Sequence, residues 1–349
     1  MRSACKYIYH IIFCFFLLFI PFNLESKERE IDSFLAELLS GSSIVKKTQI
    51  NLRDYPNAYN PSLIPYQGGY LLSFRYICRC PKKFKNDYRV DFSFIGVARL
   101  DKNFKVSEKT VQLLNITSHS SNFSLTAEDA RLLNVGDRIF IIFNDIPPSN
   151  MTGKNVMYIG ELIEEQGIFV LKEPAKPLIY SLATQTEKNW SPFSCGDKLY
   201  VIYSDDPRVI LEVDSRTGFC QEVSRSRSNL NWDLGQIRGG TPAYLVDNSF
   251  LTFFHSSFPA NNSKGRVYVM GAYIFDRDPP FSIRKMIFRP LGDLMDYAQA
   301  NSSKKIVFPG GMVIEDNFIH AAWGRADKQI FITTFDKKKL LDSMEPCSE

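Results

Sequence analysis

Glu128–Asp145 reads EDARLLNVGDRIFIIFND. A charged start leads into an apolar run, a Gly-Asp turn follows, and a second apolar run ends on Asn144 and Asp145. Two apolar segments of strand length around a glycine-containing turn read as a β-hairpin. The pattern returns as NPSLIPYQGGYLLSFR from Asn60, WSPFSCGDKLYVIYSD from Trp190, TPAYLVDNSFLTFFHS from Thr241 and GGMVIEDNFIHAAWGRAD from Gly310. The turns sit at Gly68, Gly136, Gly196, Asp247 and Asp316, at spacings of 68, 60, 51 and 69 residues. Self-similarity at a roughly constant period marks a repeat architecture, and a repeated hairpin is the core of a propeller blade. The chain is therefore expected to be all-β, a five-bladed β-propeller.

Hairpin geometry carries the reading further. The start of the first strand and the end of the second lie together, opposite the turn. Those ends hold Asn60 with Arg75, Asp129 and Arg131 with Asn144 and Asp145, Trp190 with Asp205, Thr241 with His255, and Gly310 with Arg325 and Asp327. Five equivalent hairpins around one axis would bring these groups to a single polar mouth.

The rest of the chain sets bounds. A hydrophobic content of 44% over 349 residues supplies a real core, and long single domains are ordinary among closed β folds. The formal net charge of +4 is mild, and no basic stripe interleaved with aromatics points to nucleic acid. Arg2 and Lys6 precede an almost unbroken apolar run, Tyr7–Phe22, and then ESKERE. Residues 1–26 read as a signal peptide or an N-terminal membrane anchor. They leave 27–349 as one propeller domain, exported as a secreted, periplasmic or membrane-anchored protein. Ile31–Leu39 has the spacing of a short N-terminal helix, and KKKLLDSM from Lys337 that of a closing one. Beyond the leader, Cys78, Cys80, Cys195, Cys220 and Cys347 are odd in number and read as structural; His119, His255 and His320 lack metal-ligand spacing, so no metal is expected. Gly96, Gly160 and Gly271 recur inside outer strands and suggest close approach between blades. Arg238–Pro242 (RGGTP) precedes a strand, so it lacks the helix N-terminus of an anion loop and reads as tight packing near the axis.

AEDAR (Ala127–Arg131), GGTPAYLVDNSFLTFFHSS, YVMGAYIFDRDPPF and VFPGGMVIEDNFIHAAWGRADKQIFITTFD together resemble the five-bladed propeller family of β-mannoside phosphorylases and β-mannosidases, glycoside hydrolase family 130. The resemblance runs from about Asn60 to Leu341 and keeps the order of the motifs. It implies that Asp129 is the general acid, with Arg131 beside it. Asn60 and Arg75 match the family's first-blade pair, Lys188-Asn189 its Lys-Asn element, Phe254-His255-Ser256 its Tyr-His-Gly segment, and Ala326-Asp327 its late Ala-Asp. Ala130 departs from the proline of the acidic motif. YSDDPR stands where phosphorylases carry His-Arg-Pro, displacing Arg208 by a few positions.

Glycoside cleavage needs an acid for the leaving oxygen and a second group across the ring. Asp129 is the acid candidate; Asp145, Asp205, Asp206 and Asp327 are mouth carboxylates, and Asp327 could instead bind hydroxyls. Arg75, Lys188 and Arg238 are cations for a phosphate, carboxylate or hydroxyl, and His255 ends a mouth strand. Trp190 and Trp323 offer faces to a sugar ring. Three readings follow: a glycosidase-like enzyme cleaving β-mannosides by hydrolysis or phosphorolysis, with inorganic phosphate as co-substrate in the second case and no other cofactor; an inactive glycan-binding propeller; and a protein-interaction propeller. Phosphate capture needs several cationic donors at once, so the displaced Arg208 favours hydrolysis or non-catalytic glycan binding over phosphorolysis.

Overall fold

The computed structural model describes Leu39 and residues 42–78, 92–116, 127–146, 155–184, 186–228, 230–260, 265–297 and 305–347. The leader, the Ile31–Leu39 helix except its last residue, Cys80 and His119 lie outside the described residues.

The chain begins with β1 (Ile44–Ile50) and then builds five antiparallel meanders. Blade 1 is β2 (Tyr59–Tyr66), β3 (Gly69–Cys78), β4 (Phe92–Leu100) and β5 (Gln112–Leu113). Blade 2 is β6 (Glu128–Val135), β7 (Arg138–Asp145) and β8 (Val156–Glu165), edged by β9 (Ile168–Leu171) and β10 (Lys176–Pro177). Blade 3 is β11 (Ser191–Cys195), β12 (Lys198–Asp205), β13 (Arg208–Val213) and β14 (Cys220–Ser226). In blade 4 the innermost strand is broken into β15 (Arg238–Gly239) and β16 (Tyr244–Val246), followed by β17 (Ser249–Pro259), β18 (Arg266–Asp276) and β19 (Ile283–Met286). Blade 5 is β20 (Lys305–Ile314), β21 (Phe318–Arg325) and β22 (Gln329–Asp336). Its fourth strand is β1, which pairs antiparallel along β22 from Ile44↔Phe335 to Ile50↔Ile330. The last blade is thus completed by the first strand of the fold, and the five-bladed β-propeller closes. A short C-terminal helix (Lys337–Asp342), capped by the Asp336 carboxylate on the Lys339 N–H, leads to β23 (Glu345–Pro346) beside β19.

The apolar runs follow from the packing. Each sheet is covered on both faces, so adjacent residues that point to opposite sides are both buried. Leu63 joins the core between blades 5 and 1, and Ile64 the core between blades 1 and 2. Leu132 faces blade 1 and Leu133 faces blade 3. Each such side chain contributes roughly 1.5–3 kcal/mol by leaving water.

Glycines serve two purposes. A Cβ on Gly311 would fall 2.1 Å from the Leu63 backbone nitrogen, and one on Gly239 would fall 2.0 Å from the Asn189 carbonyl. These are approaches between blades. Gly96 and Gly271, expected to do the same, instead make room within their own blades for the rings of Phe74 and Phe254. Gly160 likewise meets Leu171 and Ile141 of its own blade. A neighbouring side chain fills the gap left on the same sheet face.

Candidate active site

The hairpin registers define equivalent positions at the mouth. Counting back six residues from the last pairs of four hairpins (Tyr66–Gly69, Val135–Arg138, Cys195–Lys198, Val246–Ser249) gives Asn60, Asp129, Asn189 and Gly240. Counting forward on the second strands gives Arg75, Asn144, Ser204 and His255. Asn60, Asp129 and Asn189 share a left-handed backbone, with φ of 46°, 52° and 62°. Asn and Asp tolerate that region better than other side chains with a Cβ. In blades 1 and 2 the pairing also skips at this point, between Tyr59 and Ser62 and between Glu128 and Arg131. A bulge of this kind re-aims a side chain.

The result is a ring of polar contacts around the axis. Asn60 Nδ2 donates to Asp129 Oδ1 at 2.8 Å, joining blades 1 and 2. Arg131 donates from Nη2 to Asn189 Oδ1 at 3.4 Å and from Nε to the Gly240 carbonyl at 2.9 Å, reaching blades 3 and 4. Its Nη1 donates to the Asp129 carbonyl. Gly324 of blade 5 lies under Asn60: a Cβ there would be 2.4 Å from Asn60 Oδ1.

Arg75 is the hub of charge. Its Nη1 lies 3.2 Å from Asp129 Oδ1 and its Nη2 2.7 Å from Glu128 Oε1. Nε donates to Ser93 Oγ at 2.8 Å, and that hydroxyl donates to the Ala127 carbonyl, which orients the guanidinium. The other Glu128 oxygen accepts from Lys188 Nζ at 3.0 Å and Asn144 Nδ2 at 3.2 Å. Burial raises the Asp129 pKa, but Arg75, then Arg131 and the Asn60 amide, outweigh it and hold the carboxyl below its ordinary range. Asp129 in this state is an ionised acceptor.

The structure brings Asn60, Arg75, Asp129, Arg131 and Lys188 together. Asp327, with φ of 57°, is close enough for its charge to act on the Tyr59 phenol, which also lies under Arg75. Arg238 is exposed and pairs in register with His255. His255 is 2% exposed, between the rings of Phe308 and Tyr268. Its Nδ1 faces the Gly239 carbonyl at 3.0 Å, so Nδ1 carries the hydrogen and Nε2 the lone pair. Burial, then Arg131 and Arg238, push its pKa down to about 3. The imidazole is neutral and supplies no charge to an anion.

Other expectations are corrected. Trp190 is 1% exposed, donates from Nε1 to Glu187 Oε2 at 3.0 Å and packs edge-on against Tyr203. Trp323 donates to Thr333 Oγ1 and stacks on Phe331. Both are core residues with no ring face for a sugar. Asp205 is 3% exposed and held by Arg208 and Tyr273 in the wall between blades 3 and 4. Arg208, on the third strand of its blade, makes its bonds there and none with the Asp129 cluster. Glu128, Asn144, Ser93 and Asn189 also carry the network; the sequence placed Asn144 at the mouth and Asn189 in the Lys-Asn element without a binding role, and offered none for Glu128 and Ser93. Glu128 adjoins Asp129, and the register gives Asn144 the same hairpin position as Arg75, as the hairpin geometry implied. Among the described residues no cluster of His, Cys, Asp and Glu suits a metal, and the four described cysteines are free.

Carboxylates and guanidinium groups thus gather at one end of the inner strands of a five-bladed propeller. The family model for glycoside hydrolase family 130, described as β-1,4-mannooligosaccharide phosphorylase, matches residues 36–346, and the chain belongs to that family. Solved structures agree in fold. A β-1,2-mannobiose phosphorylase from Listeria innocua, in complex with β-1,2-mannobiose, is 16% identical (TM-score 0.59; 85% of this chain and 92% of that one covered). A mannose phosphorylase from Leishmania mexicana, in complex with phosphate ion, is 13% identical (TM-score 0.58; 94% and 96%). A third, from work stating that this family of mannoside phosphorylases contains glycoside hydrolases targeting β-1,2 mannosidic linkages in Candida mannan, is 11% identical (TM-score 0.60; 90% and 94%). None of the curated proteins matches the chain. Family membership supports glycosidase or phosphorylase activity on mannosides.

Proposed function

We propose that this protein hydrolyses β-mannosides at the propeller mouth, with Asp129 as the carboxyl that moves the proton. The observation that carries the choice of water over phosphate is how the cations are occupied. Arg75 and Lys188 are paired with Glu128 and Asp129, Arg131 donates to backbone carbonyls, and His255 is neutral. Phosphate would have to compete with two resident carboxylates for the donors it needs. A sugar hydroxyl needs no such displacement, since Asp129 is already an acceptor.

Acid catalysis requires Asp129 to gain a proton in the complex. A seated sugar excludes water, which adds to the desolvation that already favours the neutral acid. The proton passes from Asp129 to the glycosidic oxygen, directly or through a substrate hydroxyl, as that oxygen's bond to the anomeric carbon breaks and a water oxygen bonds to the anomeric carbon; the proton that water gives up returns through solvent to Asp129. The N-terminal segment is consistent with export to a phosphate-poor compartment.

The test is product release from β-manno-oligosaccharides by the chain from Lys27 onward, with and without inorganic phosphate. Free sugar in both conditions supports hydrolysis; sugar phosphate appearing only with phosphate overturns it. Glu128→Gln adds a second arm. It releases Lys188 and removes one of the two carboxylates on Arg75, which keeps Asp129, so phosphate should bind at least about ten-fold more tightly, as charge-assisted donors imply. The ionised resting state of Asp129 favours a second reading, a glycan-binding propeller without turnover. Calorimetric sugar binding with no product after long incubation would select it.

A further inference from the structure

The charged groups of the mouth are paired with one another; a neutral group among them is not. Tyr59 precedes Asn60 on β2 and pairs in register with Arg75 on β3, so both side chains leave the same face of blade 1. The Arg75 guanidinium lies over the Tyr59 ring, 5.3 Å from its centroid. Tyr59 is 4% exposed, yet it joins none of the four apolar cores, whereas the adjacent Ala58 packs into the one between blades 5 and 1. Asp129 of blade 2 and Asp327 of blade 5 are both near enough for their charges to act on the phenol. Tyr59 therefore turns toward the axis, where blades 1, 2 and 5 meet at the mouth.

The tip of the side chain is the unpaired part. Among the described residues the Tyr59 hydroxyl has no hydrogen-bond partner, and it is not one of the polar atoms that the protein seals off. A tyrosine with a buried ring usually finds a partner for its hydroxyl. Here Asp129 is taken by Asn60 and Arg75, and Glu128 by Arg75, Lys188 and Asn144. Burial, opposed by Arg75 and reinforced by Asp129, Asp327 and Glu128, raises the phenol pKa. The hydroxyl keeps its proton and can both donate and accept. A sugar hydroxyl has the same two capacities.

We propose that Tyr59 is a substrate-recognition residue, its hydroxyl bonded to one hydroxyl of the mannoside seated beside Asp129. The assignment rests on the reading of the mouth as a mannoside site. The ring supports Arg75 while the tip reads the sugar. A sugar lacking that hydroxyl leaves the phenol buried and unpaired, which is how a polar site rejects a deoxy analogue.

The experiment compares the full chain with Tyr59→Phe, which keeps the ring under Arg75 and removes only the oxygen. Calorimetric titration and steady-state turnover are measured with β-1,2- and β-1,4-mannobiose and with analogues lacking one hydroxyl each; inorganic phosphate is titrated alongside. The expected result is a loss of about ten-fold in mannobiose affinity and a matching rise in the Michaelis constant, with the melting temperature unchanged. One deoxy analogue should lose the same factor on the full chain and nothing further on Tyr59→Phe. Unchanged mannobiose affinity in Tyr59→Phe overturns the assignment and leaves the proposed function standing. So does a loss confined to phosphate, or a set of deoxy analogues whose losses are the same on both proteins. Mannobiose that the full chain neither binds nor cleaves overturns the proposed function and the assignment with it. Binding without cleavage ends the hydrolytic reading alone, and the affinities then decide the role of Tyr59.

Discussion

At the scale of single residues, the site is an exercise in holding one carboxylate. Asp129 accepts from Asn60 and Arg75, and its own carbonyl accepts from Arg131. Asp129→Asn keeps the shape but sets an amide against Asn60 and Arg75. We expect turnover of β-mannosides to fall by about 10²–10⁴, the usual contribution of a positioned acid or base, with the circular dichroism spectrum unchanged. His255 gives a separate prediction in pH. Its folded pKa lies near 3 while the unfolded chain keeps its ordinary value of about 6.5. Between those values the unfolded state binds the extra proton, so stability rises with pH by up to about 1.4 kcal/mol per unit and falls on acidification. Asp129, with a depressed pKa, also loses its contribution in acid, but only as pH drops through the carboxylate range. His255→Gln should therefore flatten the denaturation midpoint between pH 5 and 6.5, leaving the steeper fall below it.

At the scale of elements, the mouth is built by the starts of the inner strands. A left-handed residue with a bulge turns Asn60 and Asp129 out of the regular alternation, and Gly324 makes room for Asn60. Gly324→Ala would place a methyl group 2.4 Å from Asn60 Oδ1 and 2.7 Å from its backbone nitrogen. The strain should cost about 1–3 kcal/mol, as overpacking does, and should weaken mannoside binding by moving Asn60 off Asp129. Thermal denaturation measures the first effect and the Michaelis constant the second. The hairpins were legible because Gly68, Gly136 and Gly196 take the positive φ their turns demand, at 78°, 57° and 61°. The broken inner strand of blade 4 was not legible, because its interruption depends on Gly239 and Gly240 meeting neighbouring backbones.

At the scale of the whole molecule, stability depends on how blades are tied together. Apolar interfaces supply most of it, and among the polar ties between blades 3 and 4 is a buried one: Arg208 with Asp205, Tyr273 and the Phe281 carbonyl. Arg208→Met leaves Asp205 buried without its cation. A loss of about 3–5 kcal/mol is expected from breaking a buried pair. Burial already raises the Asp205 pKa, so Asp205→Asn in the same chain should restore part of the melting temperature. If the double variant melts no higher than the single one, the loss lies in packing against Phe275 and not in the stranded carboxylate.

The sequence alone determined the number of blades, the hairpin turns, the mouth ends of the strands and the prominence of Asp129, Asn60 and Arg75. The first three are consequences of local periodicity and turn chemistry, written every fifty to seventy residues; the prominence of Asp129, Asn60 and Arg75 is what the resemblance of their motifs to the family implies. Tertiary structure decided which polar residues belong to the site. Trp190 adjoins the mouth position of its blade and His255 occupies that of its own, yet one fills the core against Tyr203 and the other lies between aromatic rings. Glu128 looks ordinary in sequence, yet the fold places it on Arg75 and Lys188, with the Asn144 amide donating to it. A strand's pattern specifies which side of its own sheet a residue takes. Burial, protonation state and partners depend on the neighbouring blade, whose residues stand fifty or more positions away, and only closure of the ring by β1 brings them together.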